Sequence, residues 1–167
     1  MLNLEKYTEN DYQLYSRLVF NEQVMNMNLG RIFTDEEASS FFEMMLSCNA
    51  ESPDLGFYKL FSEQNGDGEY IGMGALNRND DYGAIEIEYM LLPEYWNQGH
   101  GTALVKMLLQ KANRAHSDAD IVAITDPANT YSKRILQRAG FDLVKKYVND
   151  DGEPAELYIK RAGSAGE

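Results

Sequence analysis

Of 167 residues only one is cysteine, four are proline and two are histidine. A lone Cys48 excludes an internal disulfide and any zinc site built on several cysteines, and it fits a reducing cytosol. His100 and His116 have no partner at metal-ligand spacing, so no metal is expected. Long apolar runs are also missing: nothing approaches the ~20 residues a membrane-spanning helix needs, and no membrane partner is expected. The stretch Met1-Leu2-Asn3-Leu4-Glu5-Lys6 has neither a basic n-region nor an apolar h-region. No signal peptide is read from it, and the expected location is cytoplasmic. Basic residues are scarce as well. Fifteen Lys and Arg against 27 Asp and Glu leave a net charge of −12, which argues against a nucleic-acid partner, because phosphate contact needs a basic face.

What is present is an ordinary core: 44% hydrophobic residues, with 11 tyrosines, 7 phenylalanines and one tryptophan, too much for a disordered chain. The length suits one domain, taken as residues 1–160, with Arg161 to Glu167 as a flexible tail. Charge is unevenly spread. Residues 1–100 carry 5 Lys/Arg against 18 Asp/Glu, a balance of −13, and residues 101–167 carry 10 against 9, a balance of +1. Such a split serves solubility or meets two ligands of opposite sign.

Leu2 to Tyr7 alternates as a first strand. Asn10 is expected to cap a helix burying Tyr12, Tyr15, Leu18 and Val19. Thr34-x-x-Glu37 is a capping box, opening a helix that buries Phe41, Phe42, Met45 and Leu46. Strands are expected at Gly56–Phe61 and Tyr70–Leu76, around the turn Asn65-Gly66-Asp67-Gly68, and at Ala84–Leu92. On the last of these, Ile85, Ile87, Tyr89 and Leu91 share a face. A helix follows from Gly99 to His116, with Leu104, Met107, Leu108, Ala112 and Ala115 at helical spacing. Ile121–Thr125 reads as a strand and Asn129–Ala139 as a helix closed by Gly140. Asp142–Val148 and Ala155–Lys160 form a last hairpin. The order β-α-α-β-β-β-α-β-α-β-β indicates a mixed α/β sandwich rather than regular βαβ alternation.

Two stretches carry chemistry. In Pro93-Glu94-Tyr95-Trp96-Asn97-Gln98-Gly99-His100-Gly101-Thr102-Ala103, two glycines stand at the start of a long helix. Glycine there is either a plain turn or a cradle whose N–H groups and helix dipole take a pyrophosphate. A dinucleotide fingerprint would need Gly or Ala where Leu104 stands and a turn directly after the strand; a Walker A loop would need Gly-Lys-Ser/Thr. Both fail. In Asn129-Thr130-Tyr131-Ser132-Lys133-Arg134, Asn129 is a good N-cap, and Lys133, Arg134 and Arg138 gather near a helix start that already attracts anions.

In this order and spacing, the two stretches resemble the GNAT N-acetyltransferase superfamily, over most of the chain. Its acetyl-CoA loop, Arg/Gln-x-x-Gly-x-Gly/Ala, falls on Trp96-x-x-Gly99-x-Gly101. A rival frame, Gln98-x-x-Gly101-x-Ala103, sets the loop further from Pro93. The Tyr95-Trp96-x-x-Gly99 run resembles the ribosomal-protein (RimJ/RimL-type) branch, which often carries Glu where this chain has Ala103. The branch's Asn-x-x-Ser helix ending in Gly-Phe is matched by Asn129, Ser132, Gly140 and Phe141. The resemblance implies a GNAT fold, with a mixed central sheet splayed between its middle strands and helices on both faces. It also implies acetyl-CoA as co-substrate. Backbone groups near Leu91 and Leu92 would meet the thioester and pantetheine, and Gln98, Gly99, His100, Gly101 and Thr102 the pyrophosphate. Asn129 and Ser132 would lie at the pantetheine and sulfur end, with Lys133 reaching a phosphate.

Acetyl transfer to an amine needs a neutral nitrogen, a polarised carbonyl and help for the leaving thiolate. An α-amine of pKa about 8 loses roughly 1.4 kcal/mol in giving up its proton at pH 7, and a lysine about 4.6. Glu86 and Glu88 alternate onto one strand face as candidate bases, or form a solvated face. Where many relatives of this fold place a thiolate-protonating Tyr, this chain has Leu136, so Ser132 is the expected donor, ahead of Tyr131. The eight methionines, among them Met25, Met27, Met44 and Met45, read as core or as an apolar acceptor wall. The expected acceptor is a cationic primary amine, as a protein N-terminal α-amine. A polyamine or amino compound is the alternative, and a non-catalytic acyl-CoA sensor the reading from another class. Monomer and homodimer stay open.

Overall fold

The structure is a computed structural model that describes residues 1–63 and 68–163. The expected turn at residues 65–67 and the end of the tail lie outside the described residues. The elements run β1 (Leu2–Lys6), α1 (Tyr12–Val19), α2 (Glu22–Asn26), α3 (Asp35–Glu51), β2 (Gly56–Ser62), β3 (Glu69–Asn79), β4 (Ala84–Leu91), α4 (His100–Ala115), β5 (Ile121–Thr125), α5 (Thr130–Arg138), β6 (Asp142–Val148) and β7 (Pro154–Lys160). The strands form one sheet in the order β1-β2-β3-β4-β5-β7-β6. Every pairing is antiparallel except β4 with β5.

That exception creates the site. The parallel pairing joins only Ile85 to Ile121 and Glu86 to Val122; beyond Glu86 the two strands part. On one side of the gap, β4 continues against β3 as far as Leu91 opposite Gly72. On the other, β5 continues against β7 to Thr125 opposite Glu156.

Helices cover both faces. Tyr15, Leu18, Val24, Phe42 and Met45 pack with Phe57, Met73 and Ala75 on one side. Leu104, Val105, Leu108, Ile135 and Leu136 pack with Ile85, Ile87 and Ala123 on the other. Close approach explains one glycine: a Cβ on Gly74 would lie 3.0 Å from Leu104 Cδ1 and 3.1 Å from Leu108 Cδ2, so α4 sits directly on β3.

The capping box of α3 forms as read, with Thr34 accepting from Glu37 N and Glu37 accepting from Thr34 N. At the other end of α5, Gly140 has φ +94°, and its N–H reaches Gln137 O while Phe141 N–H reaches Leu136 O. This is a Schellman closure, sealed by the buried Phe141 and Leu136. Two local expectations change. The residue before α1 is Asp11, not Asn10, and its carboxylate takes Thr8 N and Lys59 Nζ instead of capping the helix. A short helix, α2, appears with Asn21 accepting from Val24 N; five residues are too few for periodicity to show.

Asn49 of α3 ties the helix to two strands. Its Nδ2 donates to Tyr7 O and Phe57 O at 3.1 Å, and its Oδ1 accepts from Phe57 N at 2.7 Å. With roughly 1 kcal/mol net for each such bond, Asn49→Ala is expected to lower stability by about 3 kcal/mol. Urea unfolding measures it, and a loss under 1 kcal/mol would show the three bonds to be replaceable by water.

Candidate functional site

The gap between β4 and β5 opens into a cleft of about 850 Å³. Glu86 and Glu88 form part of its floor, with Met25, Leu29, Phe33, Phe41, Met73 and Met90 as an apolar wall. Asn129 and Ser132 come in from α5, and Asp151 and Glu153 from the loop joining β6 to β7. Of the four methionines singled out in the sequence, Met25 and Met27 line the cleft; Met45 is core and Met44 is exposed.

The two carboxylates share a face, as their alternation requires, but differ in surroundings. Glu86 is held by Asn79, whose Nδ2 donates to Oε1 at 2.7 Å. Glu88 opens to the cleft, where water reaches it from one side while protein encloses the rest. That enclosure, with the Glu86 charge and hydrogen bond beside it, raises the Glu88 carboxyl well above the ordinary carboxylate range. Burial likewise raises the Tyr15 phenol, with smaller pushes from other tyrosines and Glu88.

At one end of the gap stands the start of α4. Gly99 is its N-cap in a left-handed conformation, φ +84°, with no capping side chain. Ala103 N–H bonds Gly99 O, so the first helical bond leaves the N–H groups of His100, Gly101 and Thr102 without an intrahelical partner. An anion such as the acetyl-CoA pyrophosphate fits this bare terminus. The two glycines have separate jobs. Nothing lies within 4 Å of a Cβ on Gly99, whereas a Cβ on Gly101 would come 2.8 Å from Ile135 Cδ1 and 3.1 Å from the Tyr131 hydroxyl. Gly101 therefore lets α4 and α5 close, and Gly99 lets the loop turn. The His100 ring is buried beside Tyr95, which leaves its backbone as the part facing the terminus.

β4 offers the gap fewer backbone groups than expected. Leu92 N–H donates to Ile71 O and Leu92 O accepts from Tyr95 N, so Leu92 is spent on the sheet and the following turn. Leu91 O accepts from Trp96 Nε1 at 2.8 Å. Since Ile85 N–H points across to Asp120 O, the alternation along β4 sends Ile87 N–H to Val122 in the short parallel ladder and turns the N–H groups of Tyr89 and Leu91 toward the open gap. A substrate carbonyl would find its donors there.

On the opposite rim, Asn129 Oδ1 accepts from Ser132 N at 3.1 Å, capping α5. Lys133 does not extend toward a phosphate. Its ammonium pairs with the buried Glu156 at 3.3 Å and donates to Pro127 O, and Tyr158 OH donates to the same Glu156 at 3.0 Å. A carboxylate only 2% exposed is uncompensated without that cation, which is why the lysine turns inward. No sequence signal links Lys133 to a residue 23 positions on. Among the described residues, no group of three or more His, Cys, Asp or Glu is placed to hold a metal, and no helix is long and apolar enough to cross a membrane.

A seven-stranded mixed sheet, splayed between two parallel middle strands with a bare helix start at the splay, defines an acetyltransferase fold. The sequence matches the family described as "Acetyltransferase (GNAT) domain" over residues 1–142. The chain belongs to that family. It is 23% identical over 150 residues to FsC-acetyl coenzyme A-N(2)-transacetylase of Aspergillus fumigatus, covering 83% of this chain but 61% of that protein. The spermidine N-acetyltransferase of Vibrio cholerae, solved with CoA and spermine, superposes with a TM-score of 0.77 at 14% identity, over 96% of this chain and 95% of that one. The ribosomal-protein-S5-alanine acetyltransferase of Vibrio fischeri gives 0.77 at 13% identity, over 98% and 94%. Small-molecule and protein acetyltransferases thus share the fold equally well.

Proposed function

We propose that the protein transfers the acetyl group of acetyl-CoA to a cationic primary amine held in the β4–β5 cleft. The carrying observation is the cleft's charge: Glu37, Glu86, Glu88, Asp126, Asp151 and Glu153 line it against Arg31, the one cationic side chain of its lining among the described residues. Arg31 itself is paired in two-pronged fashion with Glu37, at 2.7 and 2.8 Å. A protonated amine is attracted into such a cleft, and the anionic co-substrate is drawn to the helix start at its end. From Thr102 at that start, a second groove runs along α4 and α5, and its basic side chains Lys106, Arg114 and Arg138 suit it to the nucleotide end of CoA.

The amine gives its proton to Glu88, whose raised pKa makes it a stronger base than an ordinary carboxylate. Nitrogen then bonds to the thioester carbon while donors on β4 polarise the carbonyl oxygen, and the C–S bond breaks beside Ser132. Nitrogen loses two protons in all, one before attack and one as the C–N bond forms. Each passes through Glu88 to water in turn, and the departing sulfur takes one from water, leaving one proton released per turnover. The Tyr95-Trp96-x-x-Gly99 resemblance supports a protein N-terminal α-amine as acceptor. Carboxylates spread from the floor to the rim of the cleft favour a second reading, a polyamine whose further charges they would hold.

A mass-spectrometric panel separates the readings: spermidine, a basic alanine-led peptide, an acidic alanine-led peptide and an aminoglycoside. Acetylated cationic amines are expected, with kcat/KM at saturating acetyl-CoA falling as salt shortens the ~8–10 Å Debye length. A best acceptor that is anionic, or salt-independent kcat/KM, overturns the electrostatic argument; CoA binding without any product turns the protein into a sensor.

A further inference from the structure

The cleft brings together two hydroxyls that lie 43 residues apart: Tyr89 OH of β4 and Ser132 Oγ of α5 are 2.6 Å from each other, and both line the cleft. Tyr89 shares the strand face of Ile85 and Ile87, so its ring runs under α5, and its hydroxyl crosses the space left where β4 and β5 part. Ser132 is 7% exposed. Its N–H is spent on Asn129, and its oxygen has Tyr89 as hydrogen-bond partner. Tyr131, the next hydroxyl on α5, is turned toward α4 and Gly101.

Between a phenol and an aliphatic alcohol, the phenol is the stronger acid and the alcohol oxygen the better acceptor, so the favoured bond runs from Tyr89 to Ser132. A hydroxyl has one proton and two lone pairs. With a lone pair engaged by the phenol, the serine proton is left to point away, into the cleft.

We infer that Tyr89 is a positioning residue for the departure of the thiolate, holding the Ser132 hydroxyl so that its proton faces the leaving sulfur. The role rests on the acetyl-transfer reading above. No proton travels along the pair. Burial pushes the Tyr89 phenol up to about 12, so it keeps its proton through the reaction. Ser132 acts as a hydrogen-bond donor to the charge growing on sulfur, and a donor aimed beforehand stabilises that charge without reorganising.

Tyr89→Phe keeps the ring and its packing and removes only the hydroxyl. With the best acceptor of the panel, it is expected to lower kcat about tenfold, the scale of one hydrogen bond to a charged group. KM for the acceptor and the CoA dissociation constant by calorimetry should stay within twofold. Ser132→Ala should lower kcat at least as much. The double variant should be no slower than Ser132→Ala alone, because the phenol has nothing left to orient. Thermal melting confirms that each variant is folded. A parental kcat in Tyr89→Phe beside a slow Ser132→Ala overturns the inference and leaves Ser132 its role. Losses that multiply in the double variant also overturn it, since the two hydroxyls would then act independently. Parental rates in both single variants remove Ser132 from the step and Tyr89 with it. Absence of acetylated product from the parent protein overturns the acetyl-transfer reading itself, and the inference falls with it.

Discussion

Glu88→Gln is expected to lower kcat/KM for the acceptor by about two orders of magnitude near neutral pH, the usual scale for losing a general base. The reason is local. Both carboxylates line the cleft, but Glu86 is held by Asn79 while Glu88 is the more exposed of the two. The Glu88 carboxyl is raised by the surrounding protein and then by Glu86. A base works when deprotonated, so the rate should rise with pH through that raised value, on a limb above the ordinary carboxylate range near 4.3. Glutamine removes the limb. The companion variant carries a sign: Glu86→Gln deletes a negative neighbour, so the Glu88 limb should move to lower pH with much of the rate retained. A Glu88→Gln protein with the parental rate and profile would falsify the assignment and return both residues to plain strand polarity.

The second large effect concerns co-substrate binding. Gly99→Glu should weaken CoA by about a hundredfold, from a carboxylate set against the diphosphate at a few ångströms and from strain at a left-handed position. Overlap has no part in this, because the space beside Gly99 is open. Gly99→Ala is the control: it meets the same backbone strain without charge, and should lose CoA affinity only a few-fold. Calorimetry with CoA reads both. A folded Gly99→Glu that binds like the parent would move the diphosphate away from α4.

Much of the framework was legible because its causes are local. Thr34 and Glu37 lie within one helical turn, and Gly140 with Phe141 closes α5 through bonds spanning five residues. The glycine-bearing start of α4 and the Asn129 cap of α5 were readable for the same reason. Less legible were the uses of groups already near the site. Leu92 looked like a ligand of the gap, but strand pairing with β3 and the turn through Tyr95 consumed its backbone. The Asn10 cap failed because Asp11 had a buried lysine, Lys59, to neutralise at 2.8 Å.

From the sequence by itself came the element order apart from the short α2, the faces that bury, the bare helix start at Gly99 and the paired carboxylates at Glu86 and Glu88. Each follows from spacing along one element, where a period of two or 3.6 residues already decides which side chains share a face. The tertiary structure alone decided that Tyr89 meets Ser132, that Lys133 turns inward to Glu156, and that Asp151 and Glu153 join Glu88 around one cleft. Those contacts join separate elements, and they depend on where β4 and β5 stop pairing. That point is set by how the helices on both faces pack against the sheet, which no local period contains.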